Sequence, residues 1–332
     1  MAVPEFDFAS EEPYDLFIAA GGFEERVLTF TRRANVSKFS IKQAILLRYV
    51  TQREDNEPNF NRLMTRVKKF TDNIEIIDVD VRKPDKIMKV LVEKVHSAST
   101  SLNIRSAVID ISGMADVLIC CCLRAADINR LRTSVVYTEA SDYYPREPKW
   151  HDIIDVVENE DFEVMAEYLQ TAGLEDIQIP TDFKGNNRPG YKACLFVMAG
   201  YEPNRVQGLV DDYAPNAIVV FYGKSPHERL HGRQWLSIKL HKYIFGGWRY
   251  RERKDISTLE VEKILDILEN EYQTLRSEYD VGIASQCSKM QTVASYIFWK
   301  QHPEVQLIFT TPVKWESKRY SEGEGQTFLF DL

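Results

Sequence analysis

The sequence predicts an α/β protein made of two tandem halves, each a doubly wound and mostly parallel sheet. Two observations predict this class. Short, continuously apolar segments alternate with helical patterns along most of the chain, which is typical of parallel strands covered by helices on both faces. Landmarks of the first half then recur in the second at a nearly constant spacing, so that Gly-Phe-Glu at 22–24 returns as Gly-Tyr-Glu at 200–202.

The first half begins with an apolar run from Tyr14 that ends in glycines and is followed by a helical pattern over residues 25–33. This pattern predicts a strand, a tight turn and a helix. Four further strands are predicted over residues 43–50, 74–81, 106–112 and 134–140, with helices between them over 59–70, from Pro84 onward and over 114–126. Pro84 suits the first turn of its helix, because the N–H that proline lacks has no intrahelical partner there.

The second half repeats this order. Apolar segments that begin at residues 193, 216, 279 and 306 match the first, second, fourth and fifth strands of the first half. The helix after Asp255 matches the helix after Asp80, and Arg26 returns as Arg205. We therefore interpret the chain as an internal duplication of one Rossmann-like unit.

The duplication divides the chain into three predicted parts. These are an N-terminal half over residues 1–145, a connector over 146–189 with one helix near 161–171, and a C-terminal half over 190–332. Residues 231–254 are basic and aromatic and match nothing in the first half, so we interpret them as an insertion in the C-terminal half.

Composition excludes several classes of protein. With 44% hydrophobic and 28% charged residues, the chain resembles globular proteins rather than disordered or fibrous ones. No apolar run approaches the roughly 18 residues that a membrane span needs, and the acidic N-terminus lacks the features of a signal peptide. We therefore expect a cytoplasmic protein without a membrane partner. A net charge of −8 argues against bulk attraction to nucleic acid, although local basic patches remain compatible with it.

The five cysteines do not predict a metal site. Three of them are consecutive, at 120–122, and neighbouring residues on a helix point in different directions. No CxxC or HExxH spacing occurs in the chain. We expect reduced cysteines that serve as small core residues, no bound metal and no cofactor.

The candidate ligand site lies where the first and fourth strands of each half end. Open parallel sheets bind ligands at the carboxyl ends of their strands, near the point where strand order reverses. Glycine lets a backbone approach a phosphate, a helix N-terminus and arginine stabilise an anion, and glutamate accepts from a ribose hydroxyl or a base amine. The predicted ligand-binding residues are Gly21, Gly22, Phe23, Glu24, Arg26, Ser112, Gly113, Gly200, Tyr201, Glu202, Arg205, Ser285, Ser288 and Lys289.

A second candidate surface mixes cations with aromatic rings, as sites for single-stranded nucleic acid do. A partner interface or a solvated edge fits the same composition. Its residues are Arg233, Trp248, Arg249, Tyr250, Arg251, Arg253 and Lys254.

Sharper catalytic motifs are absent, and no catalytic residue is predicted. No GxGxxG follows either first strand, which disfavours dinucleotide redox chemistry. The run 223–225, Gly-Lys-Ser, is similar to the end of a phosphate-binding P-loop, but Ile218 stands where the first glycine belongs. Asp78, Asp80 and Asp110 end strands and could bind Mg²⁺, yet the lysine that a nuclease motif needs at a short fixed spacing is missing.

A Rossmann-like half with a glycine loop after its first strand and the small-residue loop at 110–114 after its fourth resembles the CARF domains, which sense cyclic oligonucleotides in prokaryotic defence. Two such halves in one chain resemble the SAVED domain, a doubled CARF-like sensor. The resemblance implies a cyclic-oligonucleotide ligand, and it implies that a partner chain or the protein's own oligomer acts on the signal.

Three functional hypotheses follow. The leading one is a non-enzymatic nucleotide or cyclic-oligonucleotide sensor of antiviral defence, with a pseudo-symmetric pocket formed by both halves. The second is an enzyme that cleaves a nucleotide, such as a phosphodiesterase or nuclease, with the region of Glu24 and Asp110 catalytic. The third is a structural adaptor whose sites are vestigial.

Overall fold

The computed structural model describes residues 14–34, 41–146, 152–153, 155–156, 169–242, 244–245 and 250–332, without the side chains of 172 and 250–253. It divides into two compact units, the first formed by Met1–Tyr144 with Tyr320–Leu332 and the second by Pro145–Arg319. From the sequence, residues 320–332 belong to the C-terminal half. The structure instead groups them with the first unit.

The first unit contains a six-stranded sheet. Its strands are β1 (Leu16–Gly21), β2 (Gln43–Tyr49), β3 (Ile74–Val79), β4 (Ser106–Asp110), β5 (Arg132–Thr138) and the C-terminal strand β17 (Thr327–Asp331). The order is β17-β5-β4-β1-β2-β3, and every pair is parallel except β17 with β5. β1 is buried along its whole length, because it has a strand on each side and helices over both faces.

The helices of the first unit follow the strands. A 3-10 turn (Glu25–Leu28) leads into α1 (Thr29–Arg33), and the longer helices are α2 (Arg53–Val67), α3 (Pro84–Ser101) and α4 (Asp116–Ile128). Pro84 occupies the first turn of α3, as predicted. Ile87, Leu91 and Val95 of α3 are buried at helical spacing, which is the apolar stripe expected for a helix packed on a sheet.

The second unit has a five-stranded parallel sheet with the same strand order. Its strands are β9 (Lys192–Ala199), β10 (Ala217–Lys224), β11 (Tyr250–Ser257), β12 (Tyr279–Ser285) and β13 (Gln306–Leu307), in the order β11-β10-β9-β12-β13. Numbered within each unit, and apart from the added β17 beside β5, both sheets read third, second, first, fourth, fifth. The predicted α/β class with two Rossmann-like sheets is confirmed, and the shared order supports the interpretation of an internal duplication.

The helices of the second unit occupy equivalent positions in the chain. They are α5 (Pro203–Tyr213), α6 (His231–His241), α7 (Val261–Leu275) and α8 (Lys289–Gln301). Helix α6 and the first part of strand β11 fall in the segment 231–254, predicted to be an insertion without a counterpart. α6 and β11 stand where α2 and β3 stand in the first unit, so this segment continues the repeat. β11 reads YRERKDIS and was missed because it is an edge strand, paired among the described residues with β10 alone, and an edge strand needs no continuous apolar run.

The predicted connector also belongs to the second unit. The described part of it forms β7 (Thr171–Ala172) and β8 (Asp176–Gln178), which pair with β15 (Lys314–Trp315) and β14 (Phe309–Thr311). Phe183 is fully buried and packs its ring against Trp299 and Phe309. The helix predicted near 161–171 lies outside the described residues except at its end, where Thr171 is in β7.

In the first unit a further short pair joins β6 (Asp142–Tyr143) to β16 (Ser321–Glu322). Among the described residues, no helix combines the length and the apolar character that a membrane crossing requires.

Candidate functional site

The loops after the first and fourth strands meet in each unit, as the strand order requires. β1 pairs directly with β4, and β9 with β12. A Cβ on Gly22 would lie 3.0 Å from the carbonyl oxygen of Gly113, and a Cβ on Gly200 would overlap the carbonyl oxygen of Gln286. These close backbone approaches explain why both first-strand loops carry glycine at this point. The predicted loops are therefore neighbours at the switch point of each sheet.

In the first unit, Glu24 and Arg26 form a buried ion pair. The Arg26 guanidinium donates to both carboxylate oxygens of Glu24 at 2.8 and 3.0 Å from Nη2, and to the carbonyl of Thr138 at 3.0 Å from Nη1. The hydroxyl of Ser321 donates to the same carboxylate. Burial disfavours the charge of Arg26, but the Glu24 carboxylate raises the pKa of the guanidinium well above its ordinary value. Both side chains are under 10% exposed, so they bond within the protein.

The remaining predicted residues of this edge are also bonded within the unit. The Ser112 hydroxyl is fully buried and accepts from the backbone N–H of Thr138 at 2.9 Å. Gly21 packs against the backbone of Phe60. The half-buried ring of Phe23 lies edge-on to Tyr320, with the ring centroids 5.2 Å apart.

Two residues that the sequence analysis missed hold these loops in place. The Tyr49 hydroxyl donates to the carbonyl of Gly113 and accepts from the N–H of Ala115, both at 2.9 Å. The Asn59 side-chain amide donates to the carbonyls of Gly22 and Phe23 at 3.2 and 2.9 Å. Burial raises the pKa of Tyr49, which keeps the hydroxyl neutral. The polar groups of this edge thus stabilise its own loops.

In the second unit, the matching Glu202 and Arg205 have different partners. The buried Glu202 carboxylate accepts from the backbone N–H of Gln170 at 2.7 Å and from the Thr171 hydroxyl at 2.5 Å. Burial raises the pKa of Glu202, although these hydrogen bonds and Arg205 oppose the rise. The Arg205 guanidinium donates to the hydroxyl and the carbonyl of Thr310 at 2.7 and 3.2 Å. Glu202 therefore holds β7 in place, and Arg205 holds β14.

The loop after β12 leads into the N-terminus of α8, a helix of 13 residues. Ser288 and Gln291 form a reciprocal capping box, with both hydrogen bonds at 3.2 Å. The Ser288 hydroxyl also donates to the carbonyl of Thr258 at 2.7 Å, and Ser285 accepts from the hydroxyl of Thr292 at 3.1 Å. Lys289 is the first residue of α8. The hydroxyls of both serines make hydrogen bonds within the unit, and the helix end and Lys289 add positive potential at the sheet edge.

Gln286, which no sequence motif indicated, is the most unusual polar residue of this edge. It is 7% exposed, and within the described part of the chain neither its amide nitrogen nor its amide oxygen has a hydrogen-bond partner. Its backbone N–H donates to Met198 at 3.1 Å, which extends the pairing of β12 with β9 by one residue. A buried amide without partners is costly, at about 1–3 kcal/mol by mutational data.

Strand geometry assigns the Gln286 side chain to one face of the sheet. Side chains alternate along an extended chain, and Ala284 packs in the same core cluster as Val206 and Leu209 of α5. Ser285 faces the other way, toward Thr292 of α8. The Gln286 side chain therefore lies on the α5 face at the carboxyl end of β12, while its backbone carbonyl lies against Gly200.

Tyr201, the aromatic landmark of the second unit, is buried in a cluster with Leu236 and Leu240 of α6. The Arg233 guanidinium lies 5.8 Å from the centroid of its ring. The rest of the predicted basic and aromatic patch is not assembled by the described residues. Lys254 pairs with Glu271 at 2.9 Å; Trp248 and Arg249 lie outside the described residues, as do the side chains of Tyr250, Arg251 and Arg253.

Of the three candidate metal ligands, Asp78 and Asp80 pair with arginines, whereas the Asp110 carboxylate accepts from the backbone N–H of Ser112 at 3.0 Å. Asp78 pairs with Arg48 at 2.6 Å and Asp80 with Arg82 at 2.8 Å. The hydrogen bond from Arg48 lowers the pKa of Asp78. In the part of the chain that the structure describes, no group of three or more His, Cys, Asp or Glu side chains is arranged to hold a metal ion.

Comparisons with known proteins add similarity of low degree. No family model and no curated protein matches the chain. Among solved structures, Csm6 of Enterococcus italicus bound to cyclic hexa-2'-fluoro-hexa-dAMP is 16% identical, with a TM-score of 0.28 over 40% of this chain and 36% of that one. UDP-GlcNAc 2-epimerase of Neisseria meningitidis bound to UDP-GlcNAc is 10% identical, with a TM-score of 0.25 over 82% and 77% of the two chains. CobK precorrin-6A reductase is 10% identical, with a TM-score of 0.24 over 91% and 89%. The chain thus spans little more than a third of the length of Csm6.

Proposed function

We propose that the protein is a non-enzymatic sensor that binds a nucleotide-class ligand at the loops after β9 and β12 of the second unit. The observation that carries this proposal is the Gln286 carboxamide, buried at the switch point with neither polar atom hydrogen-bonded within the described residues. A protein tolerates the free-energy cost of an unpaired buried polar group mainly at functional sites, because there a ligand supplies the missing hydrogen-bond partners.

The chemistry of Gln286 favours a planar polar ligand group. A carboxamide offers one acceptor and two donors, so it pairs in bidentate fashion with a group that presents a donor beside an acceptor. The edges of nucleobases have this arrangement, and glutamine reads adenine in this way in DNA complexes. A nucleobase or a similar amide-like group is therefore the part of the ligand we assign to Gln286.

The N-terminus of α8 provides for the anionic part of the ligand. Backbone N–H groups at a helix start stabilise a phosphate, and Lys289 adds a full positive charge in the first turn. Gly200 brings the opposite loop close to this point. In this proposal α8 and Lys289 take the role that the sequence analysis gave to Arg26 and Arg205, whose guanidinium donors serve internal hydrogen bonds.

Sensing requires that the ligand bind one conformation or assembly better than another, with the difference read by a partner protein or by the protein's own oligomer. The resemblance of the sequence to CARF and SAVED domains adds the expectation that the ligand is a nucleotide signal, such as a cyclic oligonucleotide, in prokaryotic antiviral defence. Cleavage of the same ligand and a purely structural role are the competing functions.

The test is a panel of cyclic and linear oligonucleotides, mononucleotides and NAD, followed by thermal shift and by product analysis. A ligand at 100 times its Kd stabilises the protein by about 2.7 kcal/mol, which is readily seen in the melting temperature. Gln286→Met removes the carboxamide at similar size. We expect this variant to lose the ligand shift while its ligand-free form melts at the same or a higher temperature, because a costly buried amide is gone.

Gln178→Met is the matched control, since Gln178 is an equally buried glutamine of the second unit that bonds Asp176 on β8. It should retain the ligand shift. Turnover of the ligand would support an enzyme, and no response to any compound would support the adaptor. A ligand shift that survives in Gln286→Met would overturn the site.

A further inference from the structure

His241, the last residue of α6, has a buried ring nitrogen, Nε2, without a hydrogen-bond partner in the described part of the chain. Its other nitrogen, Nδ1, lies 2.6 Å from the backbone carbonyl of Ser237. A carbonyl oxygen only accepts, so Nδ1 carries the proton and Nε2 is left as an acceptor. Burial lowers the pKa of His241 to about 4, so the ring is neutral at neutral pH and Nε2 keeps its lone pair.

The strand register places Gln286 and the surroundings of His241 on one face of the second sheet. Ala199 of β9 pairs with Tyr222 of β10, and the pairing of β12 with β9 brings Gln286 to the other side of Ala199. Ala199 and Tyr222 share a core cluster with Ala284, which marks the face of the Gln286 side chain. The His241 ring lies edge-on to the ring of Tyr222, with the centroids 6.1 Å apart.

Ser237 links the His241 ring to the loop after β9. Its hydroxyl donates to the carbonyl of Gly200 at 2.5 Å and lies 3.5 Å from Nδ1 of His241. On the other side, a Cβ on Gly200 would overlap the backbone carbonyl of Gln286. His241 and Gln286, two buried side chains with unbonded polar atoms among the described residues, therefore border the same loop.

We propose that His241 is a specificity-determining residue of the ligand site and that its Nε2 accepts a hydrogen bond from an N–H group of the ligand, an inference that rests on the proposed function. The lone pair of Nε2 attracts an amino group and repels a carbonyl oxygen. Gln286 bonds either group, because a carboxamide both donates and accepts. The ligand class is therefore a nucleobase that carries an exocyclic amine, and His241 is the residue that rejects its oxo counterpart.

Entry of the ligand requires α6 to move, because His241 and Gln286 are both buried. Hydrogen bonds tie α6 to the carboxyl ends of β9 and β10. In addition to the bond from Ser237 to Gly200, His231 bonds the carbonyl of Ser225 at 2.9 Å and Gln234 donates to that of Tyr222 at 3.4 Å. A base that bonds His241 thus binds one position of α6 better than another, which is the difference that sensing requires.

The experiment measures the affinity for matched oligonucleotides of the same length and linkage, with cytosine against uracil and adenine against hypoxanthine. We expect the amino member of a pair to bind at least about tenfold more tightly, because the oxo member leaves Nε2 without a donor. His241→Phe keeps an aromatic ring but removes both nitrogens, so the two members should bind alike. His241→Gln restores an acceptor and should restore part of the preference.

His302→Phe is the matched control. Like His241, His302 packs between aromatic rings of the second unit, those of Tyr272 and Phe298, but it lies between α8 and β13, at the amino ends of the strands. This variant should keep the full preference for the amino member.

The outcomes separate the two proposals. Equal affinity of the unchanged protein for both members of each pair, or a preference that survives in His241→Phe, overturns the role of His241; the proposed function stands if Gln286→Met still abolishes binding. The first of these comparisons needs no variant, so it is decisive even where His241→Phe does not fold. A panel without any binder overturns the proposed function and this inference together.

Discussion

Equivalent residues of the two halves have different hydrogen-bond partners. Glu24 and Arg26 bond to each other, whereas Glu202 and Arg205 bond to separate elements around them. The residue types recur in sequence because the same turn recurs, but their partners come from distant parts of the chain. Gln286, like Tyr49 and Asn59, could not be predicted, because a polar side chain becomes informative only when its burial and its neighbours are known.

Removal of Arg26 tests its structural role. Arg26→Ala leaves the Glu24 carboxylate buried without its countercharge, which typically costs about 3–5 kcal/mol of folding free energy. We expect a loss of this size in urea unfolding at neutral pH. Arg205→Ala is the comparison, and it should cost less because Glu202 retains the hydrogen bonds from Gln170 and Thr171. Equal stability of Arg26→Ala and the unchanged protein would show that the pair contributes nothing to folding.

At the scale of elements, strands that form a continuous apolar run could be predicted from the sequence, whereas elements without such a run could not. β1, β4, β9 and β12 follow the apolar runs because each lies inside a sheet. α6 and β11 were interpreted as an insertion, since an edge strand and a basic helix lack a continuous apolar signal. α2 begins at Arg53, ahead of the start predicted at residue 59, and contains Pro58. Burial of Phe60 and Leu63 against the sheet outweighs the hydrogen bond that Pro58 cannot make.

The packing of α6 makes a pH prediction. His241, its last residue, is fully buried, and its Nδ1 lies 2.6 Å from the carbonyl of Ser237, beside the rings of Tyr222 and Phe245. Burial lowers the pKa of His241 to about 4 from an ordinary value of 6.5. Between these pH values the unfolded chain binds a proton at His241 that the folded chain does not. The stability that the neutral, buried His241 contributes to the fold is therefore fully present above pH 6.5 and is lost as the pH falls toward 4.

The expected slope is about 1.4 kcal/mol of unfolding free energy per pH unit in this window. Urea unfolding at pH 7.5 and pH 5.5 measures it. His241→Leu removes the titrating group at comparable size, and its stability should change less between the two pH values. The same pH dependence in both proteins would contradict the assignment of this effect to His241.

At the scale of the whole molecule, the sheets of the two units share one strand order, apart from β17, but the polar side chains at their carboxyl edges differ in hydrogen bonding. The alternation of strands and helices was enough to predict both sheets, and strand order was enough to predict which loops meet. The return of β17 to β5 was not predictable, because a strand pattern does not reveal its pairing partner. In the first unit Glu24, Arg26, Ser112, Tyr49 and Asn59 bond within the edge; in the second, the Gln286 carboxamide has no partner within the described residues.

Titration calorimetry with a ligand that passes the thermal-shift panel tests this asymmetry most directly. We predict one site per chain, bound at the second unit and abolished in Gln286→Met, with the Gln178→Met control unchanged. Two equivalent sites per chain, or one site that persists in Gln286→Met, would contradict the assignment of ligand binding to the loops after β9 and β12.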